Sequence, residues 1–295
     1  MPQASTSTST DDAPPTVGGR AVDAADKVTD WAIRNVPPGL RAPVITVGQV
    51  FQLLFKLIAT AVREPRGYWQ DTINEAYSMF RFCWLAVVMC AGMFAFQIAN
   101  MAYEILFLAG GGNRLGIFFT YAMAREMSVF CTGMAVAGVM GTAMCADLGA
   151  RKIREELDAL KVLGVDVIRM LVLPRVLAIV FITLLFNGLA IGLGTLMGLV
   201  AASVVGDTSP GAYLALLLNN ITVPEFVGSF AKVGVIGFFI GLVCAQKGLN
   251  PGGGAEGVGR AVNQAVVACF AATWICSFLG VSLTLGLYPE ILINR

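Results

Sequence analysis

Arg125 and Glu126 stand side by side in an apolar run, residues 117–145, that is long enough to cross a bilayer. Ionised side chains inside such a run are costly and usually face a cavity or a partner. Adjacent helical positions point about 100° apart, so the two are not expected to pair with each other. Each needs another partner or water, which leaves two readings: the lining of a translocation path, or ion pairing with other helices. Glu104 and Lys232 lie nearer the ends of their own apolar runs and read as side chains that snorkel to the interface. The chain has no histidine. Ser–His and Cys–His nucleophiles and every histidine-containing metal site are therefore excluded. The seven cysteines form no CxxC pair, sit in or beside apolar runs, and read as small buried side chains. GGGAEG, residues 252–257, satisfies G-x-G-x-x-G, but a dinucleotide site needs a preceding strand, and an apolar span precedes this one. No G-x-x-x-x-G-K-[ST] occurs, so any ATP that powers this protein binds a different chain.

The elements that carry these residues follow from composition. At 57% hydrophobic and 13% charged residues, with a mean hydropathy of +0.75, the chain departs from the soluble norm of about a quarter charged. Five apolar runs, 82–109, 117–145, 171–205, 227–246 and 261–288, reach the roughly 20 residues a bilayer requires. The expected fold is all-α: a polytopic membrane protein with five transmembrane helices. Residues 1–20 read as a disordered cytoplasmic tail. Residues 21–81 read as amphipathic, interfacial helices: one over 22–34, one over 47–63 with Lys56 and Arg63 reaching the head groups, and one from Pro65 past Tyr68 and Trp69 to Arg81. Residues 82–288 form the transmembrane domain, and 289–295 a short outer C-terminus. The third run exceeds one span, which predicts tilt, a break or an extension. Within it Gly188/Gly192 and Gly194/Gly198 have the spacing that lets helices approach closely. Asn187, Asn219, Asn220, Asn263 and Gln264 serve equally as interhelical hydrogen-bonding groups or substrate contacts.

Loop charge sets the orientation. Arg151, Lys152, Arg154, Lys161 and Arg169 follow the second run and Lys247 and Arg260 the fourth, whereas 206–226 has no Lys or Arg. The positive-inside rule then places the N-terminus in the cytoplasm and the C-terminus outside. The net charge of +1 and the lack of a basic tract give no sign of nucleic-acid binding.

One interruption stands out, ADLGARKIREELDALKVLGVD at 146–166. Ile153, Leu157 and Leu160 make a narrow apolar stripe, and Arg151/Glu155, Lys152/Glu156 and Arg154/Asp158 are expected i, i+4 pairs. Their order, basic before acidic, opposes the helix dipole, so helix stability alone does not account for it. Gly164 supplies a stop and Asp166 a cap for the next helix. A short cytoplasmic helix strung between two spans can pass a push into both, as docking to a motor domain requires. A solvated loop helix is the plainer reading.

ADLGARKIREELDALKVLGVDVIRMLVLPRVLA resembles the signature of the MlaE/YrbE family, permease subunits of ABC-type lipid transporters. That pattern runs A-E-[IL]-G, then E-Q/E-x-D-A-[LM], then [VM]-G-[VI]-D, then P-R. REMSVFCTGMAVAGVMG (125–141) and GGGAEGVGRAVNQAVV (252–267) resemble two more of its motifs, and similarity extends over roughly 67–287. The DLGARxIREE wording is most similar to the Mce-associated, actinobacterial-type branch. Ser128-Val129 replace the family's Gly-Pro, Met140 an Arg, and Val167 a Pro. The resemblance implies that 146–164 is the coupling helix seated on the ATPase, with Glu155, Glu156, Asp158, Ala159, Leu160 and Gly164 at the contact. It implies too that Arg125 and Glu126 lie near the translocation path. The implied partners are a second permease, identical or homologous, two ABC ATPases carrying ATP and Mg, and outer Mce-type lipid-channelling proteins. The implied cargo is a fatty acid, phospholipid or sterol moved across the plasma (inner) membrane. No cofactor and no catalysis are expected on this chain. The rivals are an ion-coupled secondary transporter using Arg125, Glu126 or Lys232, and a membrane enzyme acting on lipids.

Overall fold

The computed structural model describes residues 38–63, 67–111, 114–206 and 208–288. The expected tail (1–20), the 22–34 helix, Pro65 and the C-terminus (289–295) lie outside the described residues. Every regular element described is helical. The chain divides at Arg63 into two units. The first contains α1, Pro38–Arg63, on which Val47, Phe51, Phe55, Ile58 and Val62 are exposed at helical spacing. A stripe of that kind suits an interfacial helix.

The second unit is a bundle of five long apolar helices. α2 runs Trp69–Leu108, α3 Leu115–Ile153, α5 Ile168–Val204, α7 Val223–Leu249 and α8 Gly254–Leu287, each with a stretch of mean hydropathy of at least 1.7. Two short helices complete it: α4, Glu156–Val162, between α3 and α5, and α6, Pro210–Asn220, between α5 and α7. α2 is one continuous helix through Arg81, so the expected separate helix ending there is absorbed into the first span. No proline or glycine occurs between Trp69 and Cys90 to stop it.

Entry signals are local. Ser209 caps α6, its Oγ accepting from the Ala212 amide at 3.3 Å with Pro210 in the first turn. The Asp166 Oδ1 accepts from the amides of Ile168 (2.9 Å) and Arg169 (3.4 Å) and starts α5, while Gly164, at φ +77°, ends the preceding turn. α5 runs unbroken for 37 residues, longer than one span requires, with a π-helical turn over Ile168–Val172 at its start. α3 holds two more, Thr120–Met127 and Ala137–Gly141.

α3, α5 and α7 form the centre of the bundle, and α2 and α8 lie outside it. The outer helices present large apolar side chains outward, among them Phe82, Met93, Trp274 and Phe278. In water that surface would be a severe liability; in lipid it is the natural exterior. Small residues bring the central helices together. A methyl group at Gly141 of α3 would meet the Cys244 Sγ of α7 at 2.9 Å, and one at Gly237 of α7 the Thr183 Oγ1 of α5 at 2.7 Å.

The two glycine pairs of α5 separate. Gly198 packs beneath the Tyr213 hydroxyl and the Phe119 ring, and Gly194 beneath Met123, whereas Gly192 has no neighbour within 4 Å of a built Cβ. Gly198→Ala is therefore expected to cost about 1–3 kcal/mol through overpacking. Gly192→Ala is expected to be neutral, or to stabilise by up to about 1 kcal/mol through helix propensity. Thermal unfolding of the two variants in detergent checks the contrast.

Candidate functional site

Polar chemistry gathers at three places in the bundle. In the half near α6, Arg125 and Glu126 occupy the π turn of α3, Glu225 the first turn of α7, Lys232 two turns further along α7, and Ser277 sits on α8. Arg125 donates through Nη2 to Glu225 Oε1, and Glu225 is only 4% exposed. The Lys232 amine donates to the Arg125 carbonyl oxygen at 2.5 Å and lies 3.4 Å from Glu126 Oε1. Ser277 Oγ donates to Glu126 Oε2 at 2.8 Å. Arg125 also lies 5.5 Å from the Tyr121 ring centroid, within cation–π reach. Each neighbouring charge has its own partner on another helix, as the angular separation of the two positions demands.

Lys232 is a correction. It does not snorkel: the residue is 8% exposed, and its stem packs against Gly280 of α8 while the amine turns inward to α3. A buried ammonium needs an anion and acceptor lone pairs, and α3 supplies both from adjacent residues. Glu225 lies in 206–226, whose lack of Lys and Arg marks it as an outer loop, and α7 starts earlier than its apolar run, so nothing in the sequence points to a buried carboxylate there. Glu104 is exposed.

A groove of about 1050 Å³ opens between α7 and α8 and reaches Lys232. Its walls are largely apolar, from Val227, Val235 and Phe239 on α7 to Ile275, Leu279 and Leu283 on α8, with Ser282, Thr284 and Tyr288 towards the end of α8. A slot of that size and character suits long hydrocarbon chains, with a few polar groups to orient a head. The candidate path residues Arg125 and Glu126 do not line it; of their cluster only Lys232 does. Asn187 takes the hydrogen-bonding role: its Nδ2 donates to Ser229 Oγ at 3.0 Å between α5 and α7, both buried.

At the opposite end lies the charged segment, and here the helix is not continuous over 146–164. Residues 146–153 belong to α3, and the separate helix is α4, only Glu156–Val162. Glu155, at φ +60°, is the only non-glycine described residue with positive φ, and it turns the chain between the two. The expected i, i+4 pairs Arg151/Glu155, Lys152/Glu156 and Arg154/Asp158 accordingly do not form, because the turn takes 155–158 off the register of α3. Instead Arg151 pairs with Asp147 (3.1 Å), Lys152 and Lys161 with Asp158 (2.6 and 3.2 Å), and Arg154 with Glu156 (2.7 Å). Lys152, then Lys161, holds the Asp158 carboxyl below its usual range, so it stays ionised through neutral pH. Leu157 is buried, 1% exposed, and anchors α4. Ala159 is exposed and Leu160 half-buried, and beyond them Val162 and Leu163 are 88% and 75% exposed.

A Cβ in the left-handed region costs about 1–2 kcal/mol. Glu155→Gly should therefore unfold at a higher temperature than Glu155→Ala, by the equivalent of about 1 kcal/mol. Equal melting temperatures would mean that the turn is not held in this conformation.

The third cluster ties three spans beside the charged segment. Arg175, in the first turn of Leu173–Val204 of α5, donates through Nε to Glu75 Oε1 of α2 at 3.1 Å, and its Nη1 lies 2.6 Å from Asp147 Oδ2 of α3. Gly252–Gly254 follow a helix and form the turn into α8, with φ of +80° at Gly253 and +65° at Gly254; no strand precedes them. Among the described residues no group of three or more acidic or cysteine side chains could hold a metal ion.

Comparison with known proteins places this architecture. The family model described as Permease MlaE matches residues 72–283. The chain is 31% identical over 240 residues to a probable ABC transporter permease protein of Rickettsia conorii, covering 79% of this chain and 90% of that one. It is 31% identical over 186 residues to a probable ABC transporter permease protein of Synechocystis, covering 63% and 69%. It is 28% identical over 250 residues to the chloroplastic protein TRIGALACTOSYLDIACYLGLYCEROL 1 of Arabidopsis thaliana, covering 82% and 66%.

Proposed function

The chain belongs to the MlaE permease family, and from that premise we propose that it is the non-catalytic membrane subunit of an ATP-driven lipid transporter. Two ABC ATPases, carrying ATP and Mg, seat against α4, and a second permease copy or homologue closes the α7–α8 groove into a lipid-sized cavity. Nucleotide binding draws the ATPases together, α4 is displaced, and α3 and α5 carry that displacement to the ion cluster and the groove. The substrate class is a fatty acid, phospholipid or sterol. The Mce-type reading adds import through outer lipid-channelling proteins. The protein sits in the plasma (inner) membrane, with α4 and the N-terminus cytoplasmic and the C-terminus outside.

The observation that carries this reading is α4. It is a two-turn helix with one buried anchor, a fringe of fixed charges and two bare apolar residues at its tip, held between two central spans. A loop helix kept only for solubility gains nothing from exposing Val162 and Leu163. The groove supports a lipid cargo by size and lining. The Arabidopsis relative supports it by its name, which is that of a glycerolipid.

Purification of the full chain from its own cells in mild detergent tests the proposal. ATPase chains and bound lipid should co-purify, and single-cysteine labelling should find position 161 inside and 295 outside. Isolation of the permease without an ATPase, together with lipid movement in proteoliposomes driven by an ion gradient, would favour the secondary transporter instead. Reversed labelling would overturn the orientation.

A further inference from the structure

Two motif residues flank the charged segment without belonging to α4: Asp147 before it and the Arg of Pro174-Arg175 after it. In the fold they meet. Arg175 serves two carboxylates on two other helices at once, Glu75 of α2 at 3.1 Å and Asp147 of α3 at 2.6 Å, and Asp147 is held from its other side by Arg151 at 3.1 Å. The Arg175 side chain is 11% exposed, far less than the charges on α4. The guanidinium suits this task, since its spread of nitrogens brings one to Glu75 as a hydrogen-bond donor and another to Asp147 as a charge contact, where an ammonium offers one point charge.

The position matters as much as the pairing. α4 joins the rest of the chain through two stalks, the last turns of α3 and the first turns of α5. Each stalk also contains a π-helical turn, Ala137–Gly141 and Ile168–Val172, and such turns are weak points in helical hydrogen bonding. A push on α4 could be lost at either soft turn unless the stalks are tied together. Arg175 ties them, beyond the soft turn of α5 and on the α4 side of the soft turn of α3, and adds α2 as a third member.

We propose that Arg175 is a positioning residue for energy coupling: its ion pairs with Asp147 and Glu75 make the ends of α2, α3 and α5 move as one body when α4 is displaced. The inference rests on the proposed docking of an ATPase at α4. It makes no claim on the lipid and places Arg175 in contact with neither substrate nor nucleotide.

Hydrogen–deuterium exchange of the permease–ATPase complex in nanodiscs, nucleotide-free and vanadate-trapped, tests it. In the wild type, trapping should change exchange in α4 and, together with it, in the adjoining ends of α2, α3 and α5. In Arg175→Gln the response should remain in α4 but disappear from the three helix ends. Lipid-stimulated ATP hydrolysis, read with phosphatidylglycerol vesicles against lipid-free detergent, should fall about tenfold, the order of a typical coupling between sites, while basal hydrolysis holds. Should Arg175→Gln fail to insert, Arg175→Lys, which keeps the charge but loses the fork, should give an intermediate response. A wild-type response of the helix ends in Arg175→Gln or Arg175→Lys would overturn the proposal. A wild-type complex whose α4 ignores the nucleotide, or that holds no ATPase, would instead overturn the docking reading and this inference with it.

Discussion

The permease carrying Glu155→Lys, Glu156→Lys and Asp158→Lys together is expected to insert normally and to lose its ATPase. The reason insertion survives is energetic. Glu156 and Asp158 pair only with exposed or half-buried neighbours on the same segment, Arg154, Lys152 and Lys161. Exposed ion pairs of this kind are worth about 0–1 kcal/mol each. The anchor of α4, Leu157, is untouched. At an interface the same carboxylates act differently, because a charge that becomes desolvated and paired is worth about 2–5 kcal/mol when its partner is removed. Three reversals at one docking surface should thus lower ATPase affinity by about a hundredfold or more. Co-purification in mild detergent reads the loss, and retention of a fully active ATPase by the triple variant would sink the docking role. The charge of Asp158 gives a second handle. Its folded-state carboxyl is held low, so whatever it contributes is complete above the unfolded value of about 3.9 and is lost only as pH falls through the lower folded one. Between pH 6 and 8 docking should accordingly show no titration from this residue.

Lys232→Met is expected to destabilise the bundle by about 3–5 kcal/mol, because it leaves Glu126 facing an apolar side chain where an ammonium stood. Ser277 remains as a donor to Glu126 but supplies no charge. Adding Glu126→Gln should recover most of the lost stability, since the orphaned charge is then gone. Function should part from stability at this point. If Lys232 presents charge to the α7–α8 groove, the stable double variant still loses lipid-stimulated ATP hydrolysis. Thermal unfolding and vesicle-stimulated hydrolysis, measured on the same preparations, separate the two. Wild-type stimulation in the double variant would make the pair purely structural. Glu225 adds a control: Glu225→Gln removes the partner of Arg125 but leaves the groove lining unchanged, so its cost should fall on stability.

The spans were plain in the sequence because a bilayer asks for one quantity, continuous apolar length, and five stretches supplied it. The partners of the buried charges were not, because pairing depends on which helix faces which. Arg125 and Glu126 could be seen to need different partners from their angular spacing, yet nothing local pointed to Glu225 or Lys232, a hundred residues away. Lys232 in particular sits where a long side chain could reach either way, and only the notch left by Gly280 turns it inward. The break at Glu155 was hidden for another reason. Arg-Glu-Glu-Leu is good helical sequence, and a left-handed glutamate carries no composition signal. Gly164 and Asp166 did announce their roles, since a glycine stop and an aspartate cap are set by nearest neighbours.

The residues of α3 between its two π turns, Ser128–Val136, form a regular α-helical cylinder. Each wide turn holds surplus backbone, and surplus can migrate along a helix as a ruck travels through a rug, leaving total length the same. With one ruck above and one below, the enclosed cylinder is bounded at both ends by loosened hydrogen bonding, while its sides stay closely packed, Gly133 leaving no room for a methyl group beside Thr273. The buried hydroxyls of Ser128 and Thr132 make no hydrogen bond among the described residues, and the Cys83 thiol of α2 reaches the Ala135 carbonyl at 3.7 Å. Arg125 and Glu126 thus sit in one of the two places where α3 can give way without unpacking its middle.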